Sequence, residues 1–198
     1  LDISSKQLRH KGKRRNPKET RGKFLIGKSI SNRSKGVKKR TEFSHYEIDT
    51  MVSSRGKSKG CFATFCEMKS RFYIAFKIPD RSGEPYKTAV DRLFGLFPKN
   101  AFLSFTSDRG KEFSCYKYIE DTYKIDFYFA DPYSAWQRGS NKNSNGLLRE
   151  FYPKKTDLAT VNNEELRRNL FLINNRPRKC LGRKSAYEVF FNEVVHLI

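Results

Sequence analysis

The sequence predicts an α/β domain built on a mixed five-stranded sheet. Three observations carry this: strand-like segments open the domain at hairpin spacing, later strands alternate with helical segments, and the last third is mostly helical. Tyr46 to Val52 alternates apolar and polar residues as a half-buried strand does. Ser53 to Gly60, with Gly56 and Gly60, reads as a hairpin loop. Cys61 to Phe65 and Phe72 to Ile78 follow as strands, the second rich in aromatic and β-branched residues and stopped by Pro79. Over residues 84–97, Ala89, Val90, Leu93, Phe94 and Phe97 recur at helical spacing. Ala101 to Thr106 reads as a buried strand leading to Asp108, Lys111 to Tyr123 as a helix, and Ile125 to Phe129 as the fifth strand. Asn141 to Phe151 is the next helix, ended before Pro153. Asn162 with Glu165, and Ser185 with Glu188, have capping-box spacing and open two further helices, the first stopping at Pro177.

Composition narrows the function classes. The 198 residues are 37% hydrophobic and include 17 Phe and 10 Tyr, enough for one full core. A net charge of +20 calls for a polyanionic partner, nucleic acid first and an anionic membrane second. The charge is uneven: fifteen Lys or Arg against Asp2 and Glu19 place +13 in residues 1–41. That segment reads as an extended basic arm or linker, with Arg14 and Arg15 as candidate backbone contacts, and residues 42–198 as the core. No run of about 18 apolar residues exists to span a membrane. The chain opens at Leu1 in polar sequence without a signal peptide and reads as a segment of a longer protein. Cys61, Cys66, Cys115 and Cys180 are too scattered for a disulfide framework, and no His stands near enough in sequence to complete a zinc site. Buried free thiols are the expectation.

Two aspartates sit where metal-dependent phosphoryl transfer would place them. Asp49 lies within the first strand, and Asp108 follows the fourth. On neighbouring strands both would reach one sheet edge, and hard carboxylate oxygens there suit a pair of Mg²⁺ or Mn²⁺ ions. An aspartate after a buried strand is by itself more often a turn residue. The flanking sequence decides the matter. His45-Tyr46-Glu47-Ile48-Asp49, Thr106-Ser107-Asp108-Arg109-Gly110-Lys111-Glu112-Phe113, the long run Tyr128 to Asn141, its continuation Asn145-Gly146-Leu147-Leu148-Arg149, Pro153 to Leu158, and Asn174 to Gly182 together resemble the IS-thirty family of insertion-sequence transposases.

The resemblance covers about residues 40–192 and implies a ribonuclease H-like integrase core with a D-D-E active site and two divalent ions. It implies cleavage at transposon ends, strand transfer into target DNA, assembly as a homo-oligomer on DNA, and a bacterial cytoplasmic, nucleoid-associated setting. Family members carry a helix-turn-helix region ahead of such a core, outside these 198 residues. By motif position Asp49 is the first acid and Asp108 the second. The third should be a glutamate with 33 residues between it and Asp108, and that position is Lys142. Glu150, eight residues on, lies about 12 Å along a helix and is too far to serve the same ion. A lysine replaces attraction for a metal by repulsion, so weak metal binding and impaired activity are expected. Tyr46, Ala135 and Ala186 also depart from the family's Trp, Pro and Pro.

The same helix suggests a second role. Arg138, Lys142, Asn145 and Arg149 recur at spacings of three and four, a face able to lie along a DNA backbone. Trp136 and Tyr133 are expected to pack rather than to stack on bases, and His45 to be a structural neighbour of the first strand. The competing reading is a catalytically inactive DNA-binding relic or regulator of transposition, which Lys142 favours.

Overall fold

The computed structural model describes residues 27–54, 56–132 and 134–197. In chain order the main elements are β1 (Lys28–Ser29), α1 (Lys35–Lys39), β2 (His45–Val52), β3 (Cys61–Glu67), β4 (Tyr73–Ile78) and α2 (Gly83–Phe94). Then come β5 (Ser104–Ser107), α3 (Tyr116–Tyr123), β6 (Asp126–Phe129), α4 (Gly139–Phe151), α5 (Asn163–Asn175) and α6 (Ala186–Val195). The sheet is mixed, in the order β1-β6-β5-β2-β3-β4. β2, β3 and β4 form an antiparallel meander, while β5 joins β2, β6 joins β5 and β1 joins β6 in parallel.

Helices cover both faces. Tyr46 and Ile48 of β2, with Cys61, Ala63 and Phe65 of β3, point into a core shared with α2, α3 and α6. Met51, Phe62 and Cys66 point the other way, onto Leu148 of α4 and Leu166 and Ile173 of α5. The alternation in β2 therefore does not mark a solvent face, as its sequence suggested. On the face that meets α4, Glu47 is buried at 1% exposure and Asp49 is half-buried. A central strand with parallel and antiparallel neighbours is covered twice.

Six strands replace the expected five because β1 comes from the segment assigned by composition to the arm. The Lys28 ammonium sits on Asp126 and, at 3.3 Å, on Glu120. Arg33 donates to Thr106 Oγ1 at 3.1 Å, and Val37 is buried. A charge average over 41 residues hides such local pairing. Arg14 and Arg15 lie outside the described residues.

Two other expectations change in detail. Lys111 to Tyr123 is not one helix but a 3₁₀ turn (Lys111–Cys115) followed by α3, a break that lets the fully buried Glu112 accept from Arg81 Nε at 2.6 Å. Asn162 caps α5 through the amide of Glu164, whereas Ser185 and Glu188 close a full capping box on α6. Gly60 ends the β2–β3 loop where an added Cβ would meet Ala159 backbone at 2.8 Å, so only glycine permits that approach. All four cysteines are free; Cys61 and Cys66 are buried as expected, while Cys115 is half-buried and Cys180 exposed.

One buried carboxylate gives a test of the fold. Glu67, at the end of β3, accepts from the amide and hydroxyl of Ser70, while its other oxygen has no partner. Burial pushes its pKa up to about 7 despite those hydrogen bonds. A folded pKa above the unfolded one means that the folded chain holds the proton more tightly. The associated stability is complete below the unfolded value and is lost as pH rises through about 7. Glu67→Gln should remove on the order of 3 kcal/mol of pH dependence between pH 4.5 and 8, read by urea unfolding. Parallel stability profiles for the two proteins would show that Glu67 is not the titrating group.

Candidate active site

The sheet brings the two motif aspartates to one edge. β2 and β5 are parallel neighbours with Glu47 opposite Thr106. Asp49 is two residues past that pair on β2, and Asp108 is two residues past it, just beyond β5. One side chain measures their convergence. Arg138 places Nη1 3.4 Å from Asp49 Oδ1 and Nη2 3.0 Å from Asp108 Oδ2. Asp108 also accepts from the Gly110 amide at 2.9 Å, and Asp49 from the Thr50 amide at 2.9 Å. Burial holds the Asp49 pKa above the ordinary carboxylate value, Arg138 opposes this, and the charge of Asp108 adds to it.

The helix bearing the third motif position is locked against these strands by Asn141, which is fully buried. Its amide nitrogen donates to the carbonyls of Glu47 at 2.8 Å and Thr64 at 3.4 Å, and its oxygen accepts from Thr64 Oγ1 at 3.2 Å. Its backbone N–H donates to Glu47 Oε2 at 2.9 Å. Asn145, one turn on, donates to Asp49 Oδ2 at 3.2 Å and accepts from the Tyr73 hydroxyl. Lys142 lies between Arg138 and Asn145 on the helix face that meets the aspartates, and it is exposed.

The proposed backbone-binding face is therefore largely engaged within the molecule. Arg138 is turned to the aspartates, Asn145 to Asp49, and Arg149 to the carbonyls of Val52 at 2.7 Å and Tyr152 at 3.3 Å. Lys142 alone of the four is exposed. Glu150 pairs with Arg176 at 3.0 Å, so it does not stand in for a third acid.

A two-ion site does not fit the residues present. Its two carboxylates share a guanidinium, the third ligand position carries an ammonium, and among the described residues no three Asp, Glu, His or Cys side chains converge to hold a metal. A shallow groove of about 400 Å³ between β4 and α2, lined by Phe76, Ile78 and Arg92 among others, contains none of the motif residues.

The positions that depart from the family pattern have visible consequences. Tyr46 packs on Phe102 and Phe105, and its buried hydroxyl finds no partner among the described residues. Ala186 is the first residue of α6, where the missing N–H of a proline would cost nothing. His45 is half-buried and shares a 2.7 Å hydrogen bond with Ser104, the structural role expected of it. Trp136, expected to pack, is instead 75% exposed. Tyr133 lies outside the described residues. Sequence reasoning missed the lock made by Asn141, Thr64 and Glu47; its only signal was an asparagine beside the third-acid position.

A mixed sheet of this order, with two aspartates converging beside a helix, has the fold of an integrase catalytic core. The crystal structure of the catalytic core domain of BIV integrase aligns with a TM-score of 0.60 at 16% identity, covering 77% of this chain and 96% of that one. No protein-family model matches. The sequence is 36% identical over 187 residues to transposase InsI of insertion sequence element IS30C from Escherichia coli (strain K12), covering 93% of this chain and 48% of that protein. It is also 36% identical over 192 residues to the transposase of insertion sequence element IS4351 from Bacteroides fragilis, covering 93% of this chain and 57% of that protein. Over most of its own length the chain is similar to these insertion-sequence transposases, and it spans about half the length of the relatives it matches.

Proposed function

We propose that this chain acts on DNA as the core of an insertion-sequence transposase, and that its cleavage and strand-transfer chemistry is impaired by Lys142. The observation that carries the proposal is the convergence of Asp49 and Asp108 on one guanidinium beside α4, in a chain similar to transposases over nine-tenths of its length. In this reading the catalytic positions are Asp49, Asp108 and Lys142. Asp49 and Asp108 would be the remaining ligands for Mg²⁺ or Mn²⁺, and Arg138 pairs with both carboxylates.

The partners in this proposal are transposon ends and target DNA, held by a homo-oligomer. Among the described residues no helix is long and apolar enough to cross a membrane. Contacts to DNA come from the basic N-terminal residues, Arg14 and Arg15 among them, and from the exposed Lys142. Arg138, Asn145 and Arg149 act chiefly by shaping the site. The second reading, a regulator that holds DNA without chemistry, is favoured by Lys142 and differs in one respect: it survives if no variant restores cleavage.

Binding is tested by salt. Each neutralised phosphate lowers the slope of log affinity against log salt by about 0.9 on duplex DNA. Removing residues 1–26, which carry nine Lys or Arg against two acids, should flatten that slope by several units. Fluorescence anisotropy with random duplex reads the result. An unchanged slope would assign binding to the folded core.

A further inference from the structure

We infer that Trp136 is a stacking platform for a DNA base unstacked beside the aspartate pair, an inference that rests on the DNA reading above. It is the one tryptophan of the chain, and it leaves most of its indole in water. Such a ring forgoes the stabilisation that burial would give it, and at 75% exposure it is the most exposed aromatic among the described residues, ahead of Phe171 at 59%. The two residues that follow the ring are held by side-chain contacts. Gln137 accepts from the Asp131 amide at 2.8 Å and donates to the Asp131 carboxylate at 2.9 Å. Arg138 holds both catalytic-position aspartates. Gln137 and Arg138 belong, with Trp136, to one short 3₁₀ turn, Ala135–Arg138.

The position fits a nucleobase better than other apolar groups. Trp136 is two residues from Arg138, so their Cα atoms are at most about 7.6 Å apart. A strand whose phosphate approached the aspartates would carry its neighbouring bases past the indole. Lys142, exposed and one helical turn on from Arg138, offers a positive charge for the phosphate of that strand. Every base has a π face, so stacking here tolerates any sequence.

The lone tryptophan is its own reporter. The chain is titrated with a short single-stranded oligonucleotide and with an abasic strand of equal length, following indole emission and, in parallel, the anisotropy of a labelled strand. Base-containing DNA should quench emission, whereas the abasic strand should bind without quenching. Trp136→Ala should weaken binding of the base-containing strand by roughly tenfold to hundredfold and leave the abasic strand unaffected, with Trp136→Phe retaining most of the affinity. Equal quenching by both strands, or equal affinity of Trp136→Ala and the parent for the base-containing strand, overturns the inference and leaves the DNA reading standing. No anisotropy change with either strand overturns both.

Discussion

Lys142→Glu should raise Mn²⁺ affinity by on the order of a hundredfold or more, about 2.7 kcal/mol in binding free energy. At about 5 Å from a divalent ion and an effective dielectric near 20, a unit charge interacts by roughly 6–7 kcal/mol, as repulsion for lysine and attraction for glutamate. Solvent screening and retreat of the exposed lysine reduce the realised difference. The exchange adds an oxygen ligand and removes a competing cation in one step, on a helix fixed by Asn141 and Asn145. Arg138 must leave at least one carboxylate when the ion arrives, which lowers the gain further. Calorimetric titration of both proteins with Mn²⁺ measures it. Equal affinities would mean that position 142 is not aimed at the ions and that the electrostatic account is wrong.

Asn141→Ala should cost about 2–4 kcal/mol of stability and lower the melting temperature by roughly 5–15 °C for a domain of this size. The substitution deletes the side-chain hydrogen bonds to Glu47 and Thr64 and removes a buried donor from the Glu47 carbonyl, while Thr64 Oγ1 keeps the Asp49 carbonyl at 3.1 Å. Its neighbour Asn143 is exposed, and Asn143→Ala should stay within about 0.5 kcal/mol of the parent. Thermal unfolding of both variants checks the contrast. Near-identical melting temperatures would show that α4 is held by Leu148 and its apolar neighbours alone.

The parts of this molecule legible in sequence are those written as local pattern. Helix starts at Asn162 and Ser185, the hairpin at Gly60, and the carboxylates at Asp49 and Asp108 all follow from short motifs or fixed spacing. Contacts across many residues are different. Lys28 meets Asp126 and Arg33 meets Thr106 across the sheet edge, so β1 could not be read from a window of basic residues. Glu47 looked like the solvent face of β2 because alternation does not reveal that α4 covers it. Trp136 was misjudged for the opposite reason: ring size predicts burial, yet the ring is 75% exposed in the turn ahead of α4.

Strand cleavage measures the central claim most directly. The protein is incubated with DNA bearing the terminal repeats of an insertion sequence of the IS30 kind and Mn²⁺, as the parent, as Lys142→Glu, and as Lys142→Glu combined with Asp49→Asn. The account predicts near-background cleavage by the parent, a rate higher by orders of magnitude with Lys142→Glu, and loss of that gain when Asp49 is neutralised. Efficient cleavage by the parent, equal to that of Lys142→Glu, would contradict it.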